Sequence, residues 1–124
     1  MATIKSYTDI NQSKKLAEIL PLESADMCYI KHSSSNNPTW RFDNDMPPMI
    51  LGGVPIDEIT AETLPCWSLV ALLGVLEHPR CFQGDKPTYW FCGCFGKDKL
   101  YHEVEADNPI DACYEMIIRL NKLL

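Results

Sequence analysis

Apolar residues return at helical spacing near both ends of this chain and alternate at strand spacing between them. In TDINQSKKLAEIL, residues 8–20, Ile10, Leu16, Ala17 and Leu20 share one side while Lys14, Lys15 and Glu18 look outward. That spacing predicts an amphipathic helix. Asp9 followed three residues later by Gln12 has the form of a capping box, and Pro21 stops the helix. At the other end, DNPIDACYEMIIRLNKLL places Asp107 or Asn108 at the cap and Pro109 in the first turn. Ile110, Cys113, Tyr114, Ile117, Leu120 and Leu124 then line one face, and Glu115 with Arg119 forms a favourable pair four residues apart.

Between these helices, ADMCYIKH alternates and predicts a strand, with SSSNNP as turn chemistry and TWRFDN as a short returning strand. A second hairpin is predicted from TYWFCGCF and LYHEVEA, with Gly96–Lys99 as its turn. The segment TLPCWSLVALLGVLEHP is apolar nearly all round. It predicts a central buried helix with Pro65 in its first turn, ending at His78–Pro79. Gly74 costs such a helix about 1 kcal/mol relative to alanine, which close approach of another element would justify. Residues 43–62 hold three prolines and a Gly-Gly pair, and predict an irregular connection. The glycine pair reads as a turn, because a phosphate-cradling loop needs more glycines, a lysine and a following helix.

The order is therefore α-β-β-α-β-β-α, an α+β domain spanning residues 1–124. Residues 1–62 carry the first helix, the first hairpin and the connection; residues 63–124 carry the second helix, the second hairpin and the C-terminal helix. Two hairpins can merge into one four-stranded antiparallel sheet with the helices on one face. At 124 residues the chain is long enough to bury a core without staples.

Charge narrows the function. A formal charge of −6 argues against nucleic acid, which is held by Lys and Arg against phosphate. The N-terminal residues MATIKSYTDINQSKK lack the apolar core of a signal peptide, and CWSLVALLGVL is about half the roughly 20 residues a bilayer requires. A cytoplasmic location is the expectation, with the six cysteines kept as thiols and no membrane partner.

The motifs LPCWSLVALLGVL and DNPIDACYEMIIRL, the second near the C-terminus, resemble those of a family of small proteins widespread in gut Bacteroidales bacteria and their phages and prophages. The likeness covers roughly Pro65 to the C-terminus. Look-alikes more often carry alanine where Cys66 and Cys113 stand, which suggests that these thiols serve as small packing residues. The family has no assigned activity, so the resemblance implies only a compact intracellular protein from a mobile element.

The segment YWFCGCF carries the chain's most chemical appearance. Cys92 and Cys94 share a strand face with α-carbons about 6.5–7 Å apart. Two thiolates on one zinc need their sulfurs roughly 4 Å apart, given bonds of about 2.3 Å. With His102 on the returning strand they form a metal candidate, to which Cys81 must swing in from a loop as a fourth ligand. The competing reading is a strand whose small thiols lie beneath a helix, with Gly93 giving room. A cysteine nucleophile needs a base beside it, and His32, His78 and His102 sit in no catalytic signature. No cofactor is implied. Trp40, Trp67, Trp90 and Tyr101 exceed what one small core holds, so Trp40 and Tyr101 become candidates for an interaction surface. The alternative role for such aromatics is cross-strand support of the sheet. The expected function is a non-enzymatic accessory module that binds a protein partner or a second copy of itself. The alternative is a small enzyme or ligand-binding protein with a site between residues 43–62 and the second hairpin.

Overall fold

Asp9 opens the first helix as its capping pattern predicts. In the computed structural model, helix α1 spans Ile10–Ile19, the Gln12 backbone N–H donates to Asp9 at 2.8 Å, and the Gln12 side chain returns the bond to the Asp9 N–H. The structure describes residues 5–32, 41–43, 50–51, 54–55 and 61–122. These fall into two compact units, one running from Asp9 to Ser68 and the other combining the chain's first eight residues with Leu69 onward.

In the first unit, strand β1 (Met27–His32) pairs antiparallel with β2 (Arg41–Asp43), which is the expected hairpin. Two further short strands, β3 (Ile50–Leu51) and β4 (Val54–Pro55), pair with each other inside the segment predicted as irregular. The other neighbour of β1 is a strand where a helix was expected. Residues Ala61–Cys66 form β5, antiparallel to β1, with Pro65 opposite Cys28. The sheet order β2-β1-β5 makes β5 an edge strand. An edge is where a proline, lacking an N–H, costs no ladder bond. Helix α1 lies against β5, and Leu16, Cys28, Cys66 and Trp67 are fully buried. The Trp67 indole N–H donates to the Ser24 hydroxyl at 3.0 Å, and Asp26 accepts from both the backbone N–H and the hydroxyl of Ser68.

The predicted long central helix is thus corrected twice. Its first four residues, Thr63–Cys66, lie in strand β5, and the helix that remains, α2, covers only Leu69–Val75. Nor is α2 buried all round: Leu72 is its buried residue, and Val70 is 78% exposed. Gly74 is exposed, with nothing within 4 Å of where a Cβ would stand, so close approach does not explain it. Beyond α2 the backbone turns through His78 at φ 49 before Pro79.

The second unit holds the other sheet. Strand β7 (Trp90–Phe95) pairs with β8 (Tyr101–Ala106) as the second hairpin predicts. On its other side β7 pairs with β6 (Arg80–Gln83), a strand the hydrophobic pattern did not reveal. The two hairpins do not merge into one four-stranded sheet. The fold is α+β, but each hairpin gains its third strand from elsewhere: β5 beside β1, and β6 beside β7. Among the described residues no helix is long and apolar enough to cross a membrane.

Helix α3 (Pro109–Lys122) packs on β6, β7, β8 and α2. Asn108 caps it, its side-chain oxygen accepting from the Asp111 N–H at 2.9 Å while its amide donates to the Asp111 carboxylate at 2.8 Å. Lys5 closes on the same carboxylate at 2.9 Å. Ile110, Ala112, Cys113, Met116 and Ile117 are buried. Tyr114 and Leu120 are half-buried, so the inward stripe centres on Cys113, Met116 and Ile117.

Candidate functional site

The sheet β6-β7-β8 has two faces of different chemistry, and strand parity assigns them. Opposed pairs Cys81–Cys92, Cys92–Val104 and Cys94–His102 share one face. Opposed pairs Arg80–Gly93, Phe82–Phe91, Gly93–Glu103 and Phe95–Tyr101 share the other. Along β8 exposure alternates residue by residue, with Tyr101, Glu103 and Glu105 exposed and His102, Val104 and Ala106 half-buried. That is the signature of a sheet covered on one side.

The covered face is a thiol face. Cys92 and Cys94 are fully buried, as is Cys113 of α3, while Cys81 on the edge strand is half-buried. All six cysteines of the chain are thiols rather than disulfides. Cys113 is a hydrogen-bond neighbour of both Cys81 and Cys92, its single S–H able to serve one of them at a time. This bond holds the Cys81 thiol down at about 7, against the opposing pull of burial. It lowers Cys92 as well, with burial and a Cys81 charge both working against it. Cys113 itself is driven far above the ordinary thiol range, first by its bonds to those two sulfurs and then by burial. Cys94 stands apart: burial, then the Cys92 charge, push it up to about 11.

His102, the third member of the metal candidate, turns its ring to Asp98 at 3.0 Å. Asp98 also accepts the Leu100 N–H at 3.0 Å, and that backbone bond first, then burial opposing it and His102, sets its carboxyl below the usual range. Histidine and aspartate thus lock the β7–β8 turn, where Lys99 takes φ 65. Among the described residues no group of three or more His, Cys, Asp or Glu side chains is arranged to hold a metal ion. Cys92, Cys94 and His102 are not brought together as a ligand set. Nor does Cys81 lie in a loop, as the metal reading had it, since it stands in β6 directly opposite Cys92.

The open face is aromatic. Phe82 and Phe91 stack with centroids 5.1 Å apart, and Phe95 meets Tyr101 edge-on at 5.5 Å. Phe95 is 51% exposed and Tyr101 43%. The Tyr101 ring lies over Gly93, so near that an added Cβ would fall 2.0 Å from its hydroxyl oxygen. A ring placed diagonally over a strand glycine replaces the packing that glycine lacks. Gly93 therefore makes room for Tyr101 on the open face, not for a helix on the covered one. The Tyr101 hydroxyl donates to Glu103 at 3.2 Å, and its pKa is raised by burial first and that carboxylate second.

Of the two aromatic candidates, Tyr101 is on this open face, beside Phe95 of its own sheet. Trp40 lies outside the described residues, as does most of the 43–62 connection with the alternative site placed there. Trp67 is buried and Trp90 half-buried. The thiol cluster and the Phe82–Phe91 pair escaped sequence reasoning because β6 did. The available signal was the DKPT turn, residues 85–88: a hairpin centred on it sets Cys81 against Cys92. No protein-family model matches the chain, and neither curated proteins nor solved structures yield a match.

Proposed function

We propose that the chain is a non-enzymatic interaction module that grips a protein partner with the open aromatic face of β6-β7-β8. In keeping with the Bacteroidales and phage resemblance of its motifs, it serves as an intracellular accessory protein of a mobile element. The observation that carries the reading is four aromatic rings on one uncovered sheet face, two of them, Phe95 and Tyr101, about half exposed. Rigid aromatic rings give large contact area at small entropic cost, and they are enriched where proteins meet. Leu100, 63% exposed in the adjoining turn, extends the apolar area. Glu103, Glu105 and Arg80 supply the charged rim that favours one partner over others.

The test is affinity capture from the native host with the wild-type chain and a Phe95→Ala/Tyr101→Ala double variant, alongside light scattering for self-association. A partner, or a dimer, that the wild type holds and the folded double variant loses is the expected result. A wild-type chain that stays monomeric and captures nothing beyond what the double variant captures would remove the proposal.

A further inference from the structure

The covered face of the same sheet carries a second and independent inference. Cys81 and Cys92 are directly opposed across β6 and β7. Opposed residues of an antiparallel pair have α-carbons about 4.5–5.5 Å apart, inside the 4.4–6.8 Å span of disulfides. Cys81 is half-buried, whereas Cys92 and Cys113 are fully buried. A partly exposed thiol with a buried thiol directly opposite it on the next strand is the arrangement of a reactive and a resolving cysteine. We propose that Cys81 and Cys92 are a peroxide-responsive pair, in which Cys81 is oxidised first and Cys92 then closes a cross-strand disulfide beneath α3.

The steps balance with hydrogen peroxide as the oxidant. The Cys81 thiolate attacks one peroxide oxygen, an S–O bond forms and the O–O bond breaks. The departing hydroxide takes a proton and leaves as water, and the sulfur, oxidised by two electrons, becomes a sulfenic acid. The Cys92 sulfur then attacks that of Cys81. An S–S bond forms, the S–O bond breaks, and the second oxygen leaves as water with the Cys92 proton. In sum, two thiols and one peroxide give one disulfide and two waters. Cys92 is the resolving residue rather than Cys113, because it stands in register directly opposite Cys81.

The experiment treats the full chain with one equivalent of hydrogen peroxide and reads it by intact mass and by peptide mapping. The expected product has lost two hydrogens, links Cys81 to Cys92, and returns to the starting mass with a dithiol reductant. Cys92→Ser gives no bridge and leaves a Cys81 sulfenic acid that a 1,3-dione reagent traps; Cys81→Ser gives neither. A second readout uses the unaltered protein. With its thiol at about 7 rather than 9.0, Cys81 is half ionised at neutral pH. Allowing for the weaker nucleophilicity of a more acidic thiol, it outpaces an ordinary cysteine toward a small disulfide reagent by about 5–10-fold. A bridge from Cys81 to Cys113, first oxidation at another cysteine, or Cys81 reacting no faster than Cys94 overturns the proposal. Loss of partner capture by the aromatic variant is a separate outcome and leaves this one standing.

Discussion

The two faces of β6-β7-β8 are built from the same three strands and differ in everything else. Beneath α3 the side chains are small, sulfur-bearing and buried, with Cys92, Cys94 and Cys113 at zero exposure. On the other face they are large, aromatic and open, with Phe82, Phe95 and Tyr101 each exposed by more than a third. Size follows cover. A helix can seat close to a sheet only over small side chains, and thiols fill that gap at little volume. On the open face the rings spread across the strands and stabilise them pairwise. The difference is one of cover: the side chains beneath α3 are buried, and those on the other face are partly exposed.

The strongest challenge to that division is Met116→Ala, which opens a cavity over the thiol face. A loss of about 2–5 kcal/mol in denaturant unfolding is expected; a value below about 1 kcal/mol, within reach of volume-conserving core swaps, would mean the helix is not seated as described. Alkaline pH gives the next effect. Because the folded Cys94 value is raised to about 11 from 9.0, its contribution is complete below pH 9 and lost as pH rises toward 11. Stability should fall over that window, and Cys94→Ala should flatten the fall; parallel curves would contradict the burial argument. Cys81 acts with the opposite sign, its contribution present above pH 9 and lost as pH falls through about 7.

Gly93→Ala probes the boundary between the faces. The new methyl must displace the Tyr101 ring, for a loss of about 1 kcal/mol. In a Tyr101→Ala background the same change should become neutral or stabilising, since alanine restricts the unfolded chain. Equal effects in both backgrounds would show that ring and glycine do not communicate. The smallest stability effect is reserved for Phe95→Ala, under about 1 kcal/mol for loss of an exposed edge-on pair. If thermal melting drops as steeply as for Met116→Ala, the open face is structural and not a recognition surface.

Much of the fold was legible where local signals agree. Asp9 and Gln12 announce the first helix, Asn108 and Pro109 the last, and the alternation of LYHEVEA appears unchanged in the exposure of β8. Of the thiol site, the neighbourhood was legible and the membership was not. Cys92 and Cys94 drew notice by their spacing, but the cluster belongs to Cys92 with Cys81 and Cys113, residues 11 and 21 positions away. Helical periodicity put Cys113 on the inward face of α3; only packing shows what it meets there.

Hydrogen-bonding caps, turn residues and side-chain periodicity act within a few residues, so the chain alone determined the end helices and both hairpins. Pro65 and Pro109 show the limit. Each precedes an apolar run, yet one lies in an edge strand and the other in the first turn of a helix. A continuous apolar run is compatible with either form, and what chose between them was a vacant edge beside β1. Tertiary structure likewise decided which sulfurs meet and which face of a sheet stays open, because strand neighbours and helix cover join residues that no local pattern relates.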